Sequence, residues 1–137
     1  MRIRYPLALL LSVVMGLFPV RGAELNYATA LAQSKADASN PAYEDWYWSL
    51  MYPAFKGARR QAFAECLPLN NEGLPSIGQV LVLDTTGAVR QSVARGDSAL
   101  DRCMQSKLSM RRYPAPPKPD FHVGYELEGS PILPRTP

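Results

Sequence analysis

Read for its apolar positions, the chain divides into one solid hydrophobic block, two helical stripes and strand-like alternation near its middle and end. The block is Leu7 to Phe18, almost wholly apolar. Further on, Tyr43, Trp46, Tyr47, Leu50 and Met51 recur at the i, i+3, i+4, i+7, i+8 spacing that makes one broad apolar helix face. Asn40 and Pro41 precede that stripe as an N-cap side chain and a first-turn proline. Phe55, Ala58, Ala62, Phe63 and Cys66 form a second stripe that ends at Pro68, with Pro53 between the two. The pattern predicts two short helices or one kinked helix over 41–66. A weaker, alanine-rich periodicity over 24–38 predicts a marginal helical lead-in.

The second half reads as sheet and helix. Gln79 to Leu83 is a strand, and Asp84-Thr85-Thr86-Gly87 has Asp and Gly where a tight turn wants them. Ala88 to Ala94 resumes as a strand, with Val89 and Val93 expected on one face and Arg90 and Ser92 on the other, so the two runs make a hairpin. Asp97 or Ser98 caps a helix carrying Leu100, Cys103, Met104 and Leu108 on one side. Tyr113 to Pro119 is a stiff proline-rich connector. Over Asp120 to Glu128, Phe121, Val123, Tyr125 and Leu127 alternate with His122, Gly124, Glu126 and Glu128, which predicts a strand with one face on the core and the other in water. The order, helix(es)-strand-strand-helix-strand, predicts an α+β domain: a three-stranded antiparallel-type sheet with helices on one face.

The hydrophobic block changes the picture of the compartment. Arg2 and Arg4 lie before it, and Pro19, Val20, Arg21 and Gly22 follow it. This is the order of a secretory signal peptide, expected over 1–22, with the cut after Gly22 or Ala23. Its apolar run of 12 residues is short of the roughly 20 that a membrane-crossing helix needs. Removing it takes away Arg2, Arg4 and Arg21 and leaves 12 basic against 12 acidic residues. The mature chain thus has no basic footprint for nucleic acid, and the expected compartment is the periplasm. The organisation predicted is a lead-in at 23–40, one domain at 41–128 and a disordered tail at 129–137.

Two cysteines remain, Cys66 and Cys103. In an exported chain they are expected to form a disulfide; the alternative is two buried free thiols. Closing a loop of 38 residues is worth roughly 3–4 kcal/mol in the chain-entropy model. Two Cys and one His, without spaced carboxylates, do not make a tetrahedral metal shell.

Gly78-Gln79-Val80-Leu81-Val82-Leu83-Asp84, followed by Thr85-Thr86-Gly87-Ala88-Val89, resembles the Gly-x-Val-x-Val hairpin of the TonB C-terminal-like domain. The downstream helix and the Tyr113-Pro114 step are similar to that family's helix and aromatic-proline motif. Cys66 and Cys103 are similar in position to the cysteines of one branch. The likeness covers about residues 53–128. It implies recognition of an extended peptide along a strand edge, for which Asp120 to Glu128 is the expected strand. The chain departs from the family's energy-transducing members by lacking a retained anchor and a long proline-rich spacer.

No catalytic constellation is legible. His122 is the one histidine, with no nucleophile elbow or phosphate-cradling glycine loop elsewhere. Asp97 and Asp101 are explained by a helix start. The chain is therefore expected to be a non-enzyme without cofactor or metal. Its expected partner is another envelope protein, with Trp48, Tyr52, Phe121, His122, Val123, Gly124 and Tyr125 as candidate partner-binding residues. Two roles fit: a protein-binding module accessory to envelope or transport machinery, or a small periplasmic inhibitor or immunity protein that blocks an enzyme with the Leu67–Gly78 loop or the proline-rich connector. N-terminal sequencing of the protein recovered from the periplasm is expected to begin at Ala23 or Glu24. A chain that keeps Met1 and fractionates with membranes would overturn cleavage.

Overall fold

The computed structural model describes residues 24–70 and 76–129. The expected signal peptide, residues 71–75 of the expected loop and residues 130–137 of the expected tail lie outside the described residues. In the described residues the chain folds as helix α1 (Tyr27–Ser39), a short helix α2 (Glu44–Trp46) running through a π-helical turn (Tyr47–Met51) into α3 (Tyr52–Cys66), a 3-10 turn (Leu67–Leu69), strands β1 (Ile77–Leu83) and β2 (Val89–Ala94), helix α4 (Ala99–Ser109) and strand β3 (Phe121–Leu127). The strands form one antiparallel sheet in the order β2-β1-β3. The α+β class and the three-stranded sheet are as the pattern predicts.

Local chemistry sets the boundaries. Asn26 caps α1, its Oδ1 accepting from the Thr29 amide at 3.2 Å. Asn40 closes α1 and opens the next turn, with its side chain accepting from Ala42 N at 2.9 Å. Ser98 and Asp101 form a capping box on α4: Ser98 Oγ accepts from Asp101 N (3.1 Å) and Asp101 Oδ2 from Ser98 N (3.0 Å). Asp84 ties the hairpin turn by accepting from the amides of Thr86 (2.8 Å) and Ala88 (3.1 Å). Gly87 supplies the φ of 84° that the turn requires.

One face of the sheet carries the apolar core. Ile77, Leu81 and Leu83 of β1 and Phe121, Val123 and Tyr125 of β3 pack against Met51, Phe55, Ala58 and Ala62 and against Leu100, Met104 and Leu108. The Cys66–Cys103 disulfide joins α3 to α4 across a Cα separation of 5.7 Å, within the range such a bridge spans.

Three features differ from the pattern-based expectation. First, α3 and α4 share one face, but α1 lies on the other, so the far side of β3 is covered and not in water. A Cβ at Gly124 would stand 2.9 Å from Ser34 Oγ, and one at Gly78 would collide with the Tyr27 hydroxyl; these glycines let α1 approach. Second, a bulge between Val82 and Leu83 pairs Val82 with Gln91 and Leu83 with Val89. The extra residue reverses the alternation, so Val89 packs with the core while Val93 pairs with Val80 on the α1 side. Third, the π-helical turn at 47–51 breaks the 3.6-residue phase. Tyr47 and Met51 stay buried, and Leu50 swings out to 54% exposure.

One buried group sits poorly in this core. Gln79 lies on the core face between Ile77 and Leu81 and is 1% exposed, yet neither its Oε1 nor its Nε2 has a hydrogen-bond partner among the described residues. A buried unpaired amide costs about 1–3 kcal/mol. Gln79→Met keeps the volume and removes both polar atoms. It is expected to raise the stability measured by urea unfolding by about 1–3 kcal/mol; a lowered midpoint would show that the amide serves a partner.

Candidate functional site: the β3 edge and its aromatic wall

β3 is an edge strand, so its main chain faces β1 on one side only. Its entry is shaped by the connector. Tyr113 is buried and its hydroxyl donates to the Leu108 carbonyl at 2.9 Å, which fixes the chain leaving α4. Asp120 then turns into the strand at a φ of 52°, an uncommon value for a residue with a Cβ, and pairs with Arg90 at 3.0 Å.

The first outward main-chain group of β3 is the His122 amide, which donates to Asp37 Oδ2 of α1 at 2.8 Å. Ladder amides point alternately to either side of an antiparallel strand, so those of Gly124 and Glu126 turn outward in the same sense. Beside Gly124, Tyr125 and Glu126 runs a groove of about 300 Å³. Leu31, Ser34, Lys35 and Ala38 of α1 form one wall, and Tyr47 of the π-helical turn forms the other. Lys35 Nζ reaches Glu126 at 3.6 Å across the groove mouth.

From Tyr47 an aromatic ladder extends to the surface. Tyr47 stacks on Phe121 (6.4 Å between centroids) and meets Trp48 edge-on (5.0 Å), and Trp48 meets Tyr52 (5.0 Å). Trp48 is 53% exposed. The shallow end of this ladder thus presents aromatic surface, while its deep end is core. On the far side of Tyr125 the Arg59 guanidinium lies 5.2 Å from the ring centroid.

The candidate partner-binding residues separate accordingly. Trp48 and half-buried Tyr52 lie at the aromatic end, and Gly124 and Tyr125 line the groove. The side chains of Phe121 and Val123 are fully buried, and that of Tyr125 nearly so; these three act as core, and their main chain is turned toward β1. His122 is half-buried beside α1, its Nδ1 2.8 Å from the Asp120 carbonyl and 3.7 Å from Asp37 Oδ2. Asp37 and the groove wall of α1 escaped the sequence reading. The available signal was a lone acid on the inner side of an alanine-rich helix.

Asp37 is the polar centre of this region. Its side chain is 4% exposed, and Oδ1 takes hydrogen bonds or charge from Gln33 Nε2 (2.8 Å) and Lys118 Nζ (3.0 Å). Among the described residues no group of His, Cys, Asp and Glu could hold a metal ion, and no helix is long and apolar enough to cross a membrane. Comparison with family models, with curated proteins and with solved structures finds no match to this chain.

Burial and the neighbouring Glu126 carboxylate push the Tyr27 phenol up to about 12, and its hydroxyl donates to Glu126 Oε1 at 3.3 Å. Burial also raises Tyr113 and Tyr125. A raised tyrosine favours the folded state while the phenol is neutral, so its contribution is complete below the unfolded value near 10 and is lost as pH rises through the folded value. Stability in urea is therefore expected to fall between about pH 10 and 12, with part of the fall removed by Tyr27→Phe. A flat profile for the parent protein over that range would contradict the assignment.

Proposed function

We propose that the chain is an exported, non-catalytic protein-binding module of the periplasm that takes an extended segment of an envelope protein along the β3 edge. The observation that carries this reading is the groove itself: outward main chain at Gly124 and Glu126, flanked by α1 on one side and by Tyr47 on the other, with exposed Trp48 in ring contact with Tyr47. Main-chain pairing supplies affinity in such recognition, and neighbouring pockets supply selectivity. An exposed tryptophan set among partly buried aromatics is the kind of anchor that dominates protein interfaces.

The resemblance to the TonB C-terminal-like domain through Gly78–Val89 supports the same reading, since it implies edge-strand recognition. The disulfide between Cys66 and Cys103 supports an oxidising compartment. A balanced mature charge leaves little long-range steering, so selectivity falls to shape and main-chain pairing.

The test is site-specific photocrosslinking in cells that export the chain. A benzophenone side chain introduced at Trp48 or Lys35 is expected to capture one partner through one extended segment. The same group at Met110, which is 75% exposed on the α4 side, or at Arg60, is expected to capture little. With that segment as a synthetic peptide, Trp48→Ala is expected to weaken binding by about 2 kcal/mol, roughly thirtyfold, while leaving unfolding in urea unchanged. Capture from Arg60 or Met110 in preference to Trp48 and Lys35 would sink the reading.

A further inference from the structure

α1 holds the sheet by few groups. Its buried residues are Ala30, Ser34 and Asp37, only one of them apolar. Ser34 stands against the strand only because residue 124 has no Cβ. The remaining fastenings are mostly polar: Tyr27 and Lys35 to Glu126 at the rim, and buried Asp37 to Lys118 and to the His122 amide, with Ala38 adding one partly buried apolar contact.

The last of these is in an informative place. His122, Gly124 and Glu126 are the positions whose amides face away from β1, and a strand added beside β3 would bring carbonyl oxygens to them. Asp37 Oδ2 already occupies the first, at the distance a ladder carbonyl would take. A buried carboxylate from a helix thus stands in for a rung of an absent strand.

We propose that α1 is a displaceable cover of the β3 edge, with Asp37 as a built-in competitor. A partner segment long enough to pair from Glu126 through His122 binds by lifting the C-terminal half of α1, whereas a shorter one uses only the open groove. The inference rests on the edge-recognition reading above and adds its regulation.

Hydrogen–deuterium exchange on the mature, disulfide-bonded chain tests displaceability without any partner. In Asp37→Ala the His122 amide and the amides of 30–39 are expected to exchange at least about tenfold faster than in the parent, while those of Val80–Leu83 do not change. Asp37→Asn keeps an acceptor for His122 and loses the carboxylate charge that pairs with Lys118, so a smaller increase is expected; it carries the same comparison if the alanine variant unfolds. Crosslinking from position 48 to the captured partner segment is expected to rise severalfold in the variant whose α1 is released. Loss of α1 protection only together with that of β1 would overturn the proposal. So would faster α1 exchange with crosslinking unchanged or reduced, in which case releasing α1 does not open the edge to the partner and the groove reading stands alone. Absence of crosslinking from position 48 in the parent and both variants would remove the groove reading and this inference with it.

Discussion

Every residue of β1 from Ile77 to Leu83 is buried, and the rest of the molecule is arranged to satisfy that burial. A central strand of a three-stranded sheet has both its hydrogen-bonding edges taken by β2 and β3. Its two faces must still be covered by something other than sheet. On one side the cover is thick: α3 and α4 bring leucines, methionines and phenylalanine, and a disulfide ties the two helices together. On the other side the cover is a single helix of small and polar residues resting on Val80, Val82 and two glycines. The fold is thus stabilised unequally across its sheet. Sub-global opening follows the lower density of apolar contacts, which places it on the α1 side.

The sequence announced much of this, and its silences have physical causes. The run Gln-Val-Leu-Val-Leu lacks the polar alternation of a half-exposed strand, and such runs mark burial on both faces. β3 by contrast alternates, and alternation alone predicts a wet outer face. His122 and Gly124 are polar or small because a helix and its carboxylate sit on them. The turn at Asp84–Gly87 and the box at Ser98 and Asp101 were legible because capping and turn chemistry is local. The bulge opposite Leu83 was not, because it is decided by how β2 meets β1. The π-helical turn was hidden in the same way: Leu50 completes an α-helical stripe in sequence, and one extra residue per turn rotates it outward. Asp37 was the costliest omission, since its partners Lys118 and His122 lie far along the chain and no periodicity links them.

The candidate site follows from that unequal cover. Because α1 is narrow, it roofs the sheet beyond β3 without sealing the strand's outer edge. Because the π-helical turn sends Tyr47 inward and Trp48 outward, the opposite wall is the Tyr47 ring, and exposed Trp48 meets that ring edge-on. The groove is the gap left between a thin polar layer and a thick apolar one. Of the candidate residues, those that alternation places inward serve the core and pair with β1, and the open edge is offered through the backbone of the residues between them, His122, Gly124 and Glu126.

The sheet has a second edge, and its treatment argues for assigning recognition to β3. Along β2, the residues after α4 form a bridge between Arg112 and Ala88, and Tyr113 N donates to Gly87 O at 2.9 Å. Gln105 Nε2 takes the Ser92 carbonyl at 3.2 Å, and the bulge bends the strand beside exposed Arg90 and Gln91. Bulges, charged side chains and side-chain caps are the devices that close an edge permanently. β3 has no bulge in its pairing with β1. Its one side-chain cap among the described residues, Asp37, comes from the thin helix layer α1. The β2 edge is closed by the chain leaving α4 and by α4 itself, whereas the β3 edge is met at His122 alone, by one carboxylate of a thinly packed helix.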